Sequence, residues 1–396
     1  MDITKNQFTK FAEQSTEPEW FTEYRLNSFL NSQKTNYPTF RYGLNINIKP
    51  SDFDFSEVKP NNIENSLIKI DYDKNEAEIF SSNQLNFLDE SKIKPFLTKE
   101  WVNKEDKNKI FYFNQAFAND FLFIKIPKNT ELKNPIEINY DINDSTFISN
   151  IFVFVEENAK AKIILNKSTQ EKSNYISETV KIIAKENSQI DFITIQNLNN
   201  KTINIQDRKS IGKRDSKVSW VDLCLGAQYT KSQIISNLNE SGADTNNTVL
   251  FLGSGVQQYD IYTSSLHNAK NTTSKIITKG VLNNESKALS RSLVKIKENA
   301  SKSNGYEKQE ALLLSEDAEA DAIPYLEIDD DDVKCSHSSA VGQIDKEKIF
   351  YLMSRGLNKS EAKKKIIEGY FSPILELLSN KELKSNINKK INNALR

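Results

Sequence analysis

Residues 151–195 read IFVFVEENAKAKIILNKSTQEKSNYISETVKIIAKENSQIDFITI. Four short apolar runs stand out: Ile151–Val155, Lys162–Leu165, Thr179–Ala184 and Ile190–Ile195. They are rich in the β-branched and aromatic residues that suit a pleated, half-buried surface. Two of the connections share an acidic residue, an asparagine and a small residue: Glu157-Asn158-Ala159 and, 29 residues on, Glu186-Asn187-Ser188. The signature returns, at irregular intervals, as Glu298-Asn299-Ala300 and Glu316-Asp317-Ala318.

The same texture extends in both directions. Phe121–Ile126 and Ile136–Tyr140 precede the quoted stretch; Lys217–Leu225, Ser232–Leu238, Thr248–Gly253, Gln258–Ser265, Lys275–Val281 and Ser292–Ile296 follow it. No amphipathic helix of a dozen residues interrupts them. A sandwich of hairpins would advertise itself by Asn-Gly or Asp-Gly turns. Asn-Gly occurs once, at Asn304-Gly305, and Asp-Gly never, in a chain of only 11 glycines. Loosely self-similar strands joined by similar turns predict instead a mainly β chain whose residues 101–342 form a parallel β-helix, each coil stacking on the last.

Helical regions are expected on both sides. In residues 1–100, Phe8, Phe11, Trp20, Phe21, Tyr24, Leu26 and Phe29 recur at helical spacing, with Pro18 where a helix can begin, and read as the core of a small helical subdomain. Leu67–Tyr72 alternates like a strand, among irregular connections marked by Pro38, Pro50, Pro60 and Pro95. In residues 343–396, Asp345–Met353 carries Ile349, Phe350 and Met353 on one helical face. Asn358 with Glu361 three residues later approximates a capping box, and Ala362, Ile366, Ile367 and Tyr370 follow at helical spacing. Phe371 and Pro373 mark a break, after which Ile374, Leu375, Leu377 and Leu378 resume the stripe. The tail, Lys381–Arg396, is weakly amphipathic through Leu383, Ile387, Ile391 and Leu395. These helices are either a plain cap on the last coil or a docking surface.

Composition narrows function. Lys plus Arg number 53 and Asp plus Glu 54, a balance that argues against nucleic-acid binding. Two cysteines, far apart, make no disulfide framework and suit a reducing, cytoplasmic setting. The N-terminal MDITKNQFTKFAEQ has no apolar run to act as an export signal, and no stretch is long and apolar enough for a transmembrane helix. Phosphate-loop, dinucleotide, nucleophile-elbow and zinc-protease motifs are all missing.

Chemistry concentrates in Leu326–Gly342, LEIDDDDVKCSHSSAVG. It holds Cys335, one of two cysteines, and His337, one of two histidines. On a strand, residues two apart share a face, so thiol and imidazole project together as half of a soft-metal site. A structural zinc site wants four ligands, and nucleophilic catalysis wants a base and an orienting group placed across a cleft; neither is offered. Asp329–Asp332 reads as a solvated acidic turn in preference to a hard-cation site, since no glycine-bearing calcium loop follows. Asp329 and Asp331 share parity with Cys335, which would let them shape the field at its thiol. Cys224, in the apolar strand WVDLCL, reads as a buried small hydrophobe, and His267 as a hydrogen-bonded structural residue.

From His267 onward the chain resembles the SufB/SufD family, the scaffold subunits of the SufBCD complex that assembles iron–sulfur clusters. The resemblance rests on Thr272–Ser274, Lys279-Gly280-Val281, Leu312–Ser315, Pro324–Ile328, Asp332–His337, Val341-Gly342, Phe350–Leu352, Ser354–Leu357 and Glu361-Ala362. Asn114, Ala116–Asp120 and Ile126-Pro127 extend it upstream, so that it covers about residues 110–372. Cys335-Ser336-His337 resembles the SufD branch, whereas SufB has Glu-His-Glu at the corresponding segment. Ser338 departs from the glycine usual after the histidine.

The resemblance implies a right-handed parallel β-helix between helical ends. It implies pairing with a SufB-like paralogue through the β-helix ends, and docking of a SufC-like ATPase on the C-terminal helices at Phe350, Tyr351, Arg355, Gly356, Leu357, Tyr370 and Phe371. His337 would be a ligand for iron or a nascent, transient iron–sulfur cluster at an interchain site, and Cys335 a supporting thiol. With no nucleotide motif of its own, the chain is expected to be neither ATPase nor enzyme. A homodimeric scaffold and a SufB-like paralogue are the variants within the family. The reading from another class is a β-helix enzyme acting on polysaccharide, which would need clustered carboxylates in a groove.

Overall fold

In a computed structural model, the Glu-Asn-small turns are the corners of a solenoid. The structure describes residues 3–13, 17–37, 63–81, 108–170 and 174–376, with short pieces at 55, 58–59, 84, 93, 97, 384–385 and 389–391. Asn129, Asn158 and Asn187 hold left-handed φ of 59°, 58° and 55°, a conformation asparagine tolerates well. They also stack: Asn158 Nδ2 donates to Asn129 Oδ1 at 2.8 Å and Asn187 Nδ2 to Asn158 Oδ1 at 2.9 Å. Asp215, Gly242, Asn271 and Asn299 continue the corner with positive φ. Asp317 lies on the opposite corner, which is why the interval before it breaks the rhythm.

Each coil contributes one strand to each of two sheets. One sheet holds β3 (Asp120–Ile126), β5 (Thr146–Val155), β7 (Tyr175–Ala184), β9 (Ile203–Gly212), β11 (Tyr229–Leu238), β13 (Gln258–His267), β15 (Lys287–Ile296) and β17 (Glu319–Ile328). The other holds β4 (Ile136–Ile142), β6 (Lys160–Thr169), β8 (Gln189–Asn197), β10 (Lys217–Cys224), β12 (Asp244–Gly253), β14 (Thr273–Leu282), β16 (Asn304–Leu313) and β18 (Lys334–Gln343). All neighbours within these two sets are parallel, giving a β-solenoid of about eight turns. At the first coil, β1 (Leu67–Asp71) and β2 (Glu78–Ser81) pair antiparallel with β4 and β3 and finish both sheets. At the last coil, β17 and β18 are the outermost strands among the described residues.

The lumen between the sheets is apolar at Ile163, Phe192 and Trp220, and the same coils also hold ions. Arg208 reaches Glu178 at 2.8 Å and Asp222 at 3.4 Å, and Lys167 lies 2.9 Å from Glu178, all fully buried. Such charges persist inside a protein only when paired. This explains why β9, INIQDRKSIG, carries no strand signature: its inward positions include Gln206 and Arg208.

Helices cover both outer faces. α1 (Lys5–Glu13), α2 (Glu19–Lys34) and α3 (Lys109–Phe117) lay Phe8, Phe29, Phe113 and Phe117 on Ile148, Tyr175 and Ile203 of the odd-numbered sheet. The N-terminal aromatics therefore do not form a subdomain core of their own. Arg25 ties α2 to α3 by donating to the Ala116 carbonyl at 3.0 Å while paired with Glu17 at 2.6 Å. α4 (Lys346–Ser354) is capped by Asp345, and α5 (Lys359–Leu375) by the reciprocal Asn358–Glu361 bonds that the sequence pattern suggests. α5 continues through Pro373 in its last turn, where only one helical bond is forgone, so the expected break is not there. Ile367, Phe371 and Leu375 pack on Leu250, Leu252 and Val281 of the even-numbered sheet, and Ile391 joins them. The helices run along the side of the solenoid, and among the described residues nothing pairs with the outer edges of the last coil. Pro38, Pro50, Pro60, Pro95, Leu377, Leu378, Leu383, Ile387 and Leu395 lie outside the described residues.

Candidate functional site

β18 is in register with β16, Cys335 opposite Gly305 and His337 opposite Glu307. Gly305, Glu307 and Gln309 are buried and face the lumen. Cys335 and His337 therefore face it too, one rung further out, where no coil follows among the described residues. The His337 side chain is 46% exposed, half in solvent at the lumen mouth. Cys335 is half-buried on Ile276, Val294, Ile296 and Leu326. Gly305 makes room for it, since a Cβ there would stand 3.1 Å from the Cys335 Sγ and 2.6 Å from Val294. The shared face expected of Cys335 and His337 is present.

Glu307 is the residue sequence reasoning missed. It is fully buried, with its Oε1 3.6 Å from His337 Nδ1. Neither carboxylate oxygen accepts a well-formed hydrogen bond. Burial pushes its carboxyl up to about 7, opposed in part by the Ser292 hydroxyl, which is itself engaged by Gln309. Burial, and secondarily Glu307, pushes the Cys335 thiol up to about 11. That thiol is protonated at neutral pH, which suits a ligand awaiting a metal better than a free nucleophile. The field at Cys335 thus comes from Glu307 rather than from Asp329 and Asp331.

The acidic run is the corner between β17 and β18. Asp330 accepts from the Asp332 backbone at 3.0 Å, and the Asp332 carbonyl accepts from Lys302 at 2.6 Å. Among the described residues no three His, Cys, Asp or Glu side chains are arranged to hold a metal alone. Ser338 lies within β18 without the positive φ that would demand glycine.

The other cysteine and histidine are interior. Cys224 is fully buried as expected, but among ions: its Sγ is 3.6 Å from Gln206 Nε2 and 3.8 Å from Asp222 Oδ2. Burial and then Asp222 hold it firmly as a thiol. His267 is bonded at 2.8 Å to both Thr272 and Ser274 hydroxyls, and burial lowers it to about 4.

The C-terminal candidates divide. Phe350 is 74% and Tyr351 57% exposed, with the Arg355 guanidinium 5.3 Å over the Tyr351 ring. Ile349, Phe350 and Met353 share one face as expected, and together they line an open groove with Leu313, Ile344 and Lys363. Gly356 turns the chain with φ 96°, letting Leu357 N donate to Leu352 O at 3.3 Å. Tyr370 is half-buried, its carbonyl accepting from Lys279 Nζ at 3.0 Å, with that ammonium 4.6 Å over its ring. Phe371 is fully buried against its own sheet, so it seats the helix and offers no surface.

Comparison with known proteins bears on this architecture. Residues 139–370 match the SufBD core domain of the SUF system for iron–sulfur cluster assembly. The iron–sulfur cluster assembly protein SufD of Bacillus subtilis is 27% identical over 76% of this chain and 70% of its own length. SufBD family proteins of iron–sulfur cluster assembly from Staphylococcus epidermidis and Staphylococcus haemolyticus are 24% and 25% identical, each over 95% of this chain and 90% of their own.

Proposed function

The chain belongs to the SufBD family of iron–sulfur cluster assembly proteins, and from that premise we propose that it is the non-ATPase, non-catalytic scaffold subunit of a SufBCD-type complex in the cytoplasm. The observation that carries this reading is the asymmetry of the solenoid. One end is finished by β1 and β2, while the other presents the edges of β17 and β18 beside Cys335 and His337. Unpaired strand edges are templates for another chain. A SufB-like paralogue, or a second copy of this chain, pairs there and supplies the ligands that the half-site lacks. His337 and Cys335 then hold iron or the nascent cluster, which is cargo of the site rather than a resident cofactor. Phe350, Tyr351, Arg355, Gly356, Leu357 and Tyr370 present the C-terminal helices to a SufC-like ATPase, whose motion would be transmitted to the solenoid through α5. Among the described residues, no helix is long and apolar enough to cross a membrane.

Co-expression with SufB-like and SufC-like partners, followed by native mass measurement and cluster reconstitution, tests the proposal. A three-component complex is expected, with His337→Ala leaving assembly intact and slowing cluster formation at least tenfold. Full-rate maturation by His337→Ala would remove the histidine's role.

A further inference from the structure

We propose that Glu307 is a metal donor, its carboxylate and the His337 imidazole jointly gripping a ferrous ion at the lumen mouth. This rests on the reading of the open end as the assembly interface, and it adds a residue from the preceding coil to the site.

Six carboxylates are buried among the described residues, and five have partners. Glu178, Asp222 and Asp260 each face a lysine or arginine. Asp144 accepts from the backbone of Asn65 and Ser66, and Asp120 takes the Tyr140 hydroxyl. Glu307 alone has two oxygens without a well-formed bond. A buried carboxylate without a well-formed bond is costly; beside it stand the Ser292 hydroxyl and, 3.6 Å away, the imidazole at the mouth, the one of the two that can share a metal ion. Two donors on one first-row metal ion stand about 3 Å apart. The 3.6 Å between Oε1 and Nδ1 is close to that, and His337, half exposed, is free to close the gap. Carboxylate and imidazole are a donor pair that Fe(II) accepts. The remaining positions are open towards the interface, which agrees with the lack of a complete ligand set in one chain.

The test is an anaerobic titration of the full-length chain, in the oligomer in which it purifies, with Co(II) as the spectroscopic probe. Wild-type protein is expected to bind saturably with ligand-field bands. Glu307→Gln, an isosteric change, should weaken binding about tenfold or more, as should His337→Ala. Circular dichroism of each variant establishes that it is folded. Wild-type affinity in Glu307→Gln with loss in His337→Ala overturns the role of Glu307 and leaves the interface site standing. Glu307 likewise loses its place as a donor if Glu307→Ala weakens binding but Glu307→Gln does not, because it then only positions the imidazole. Binding that ignores both residues, or no saturable binding at all, overturns the inference and the His337 site together.

Discussion

His267 and His337 are the same side chain in opposite circumstances. His267 is wedged between two hydroxyls and kept neutral by burial, its pKa lowered to about 4. A base with a depressed folded pKa contributes stability above its unfolded value, near 6.5, and loses it as pH falls towards 4. The full span is worth about 3 kcal/mol at most. Asp120 and Glu307, raised to about 6 and about 7 by burial, tilt the curve the other way, so the informative quantity is a difference. Between pH 7 and pH 4, urea unfolding should show wild type losing stability relative to His267→Gln; parallel curves would refute the assignment. The structural role of His267 was legible because a lone imidazole among Thr and Ser has hydroxyl partners at hand. Glu307 was not legible. Nothing in NGYEKQEALL marks one glutamate as inward until β16 is placed in register beneath β18.

At the level of elements, α5 has two jobs that its sequence superimposes. Its buried side, through Ile367, Phe371 and Leu375, glues it to the even-numbered sheet, while α4 ahead of it exposes Phe350 and Tyr351. Removing a buried Phe side chain costs about 3–5 kcal/mol where the site cannot collapse. For a peripheral helix that loss is expressed as undocking. Phe371→Ala should therefore make the C-terminal helices protease-sensitive and indirectly reduce binding of the proposed ATPase partner. Phe350→Asp, at an exposed position, should change stability by no more than about 0.5 kcal/mol yet weaken ATPase binding about tenfold or more, as a hot-spot aromatic would. Wild-type ATPase affinity in Phe350→Asp would exclude that surface. The periodicity revealed these helices and the Asn358–Glu361 cap, but not which apolar residues are turned inward, because that depends on where the helix lies on the solenoid. Strand detection failed for a related reason at β9, β16 and β17. Their inward positions include Gln206, Arg208 and Glu307, and β17 is only half covered, so apolar alternation fades where the lumen turns polar or ends.

The two ends of the whole molecule are unlike each other. At the first coil, antiparallel β1 and β2 use up the hydrogen-bonding edges of both sheets, and Ile70 packs towards the lumen core. At the last coil the edges are parallel, unpaired among the described residues, and bordered by Tyr325, Ile328 and Val341, which are 51%, 42% and 41% exposed. An edge kept from association usually carries charges or a bulge; β18 offers Ser336, Ser338, Ser339, Ala340 and Val341, small and mostly uncharged. Perturbing each end should therefore have different consequences. Ile70→Glu, at the finished end, should destabilise the fold by about 1–3 kcal/mol and leave the native mass of the assembly unchanged. Val341→Glu, at the open end, should leave the melting temperature of the isolated chain within a degree or two, since an exposed substitution costs little, and should release it as a monomer from either a heteromeric or a self-associated complex. Native mass spectrometry across a dilution series reads both effects. Were Val341→Glu to keep the wild-type oligomer while Ile70→Glu dissociated, the interface would lie at the capped end, and Cys335 and His337 would face solvent instead of a partner.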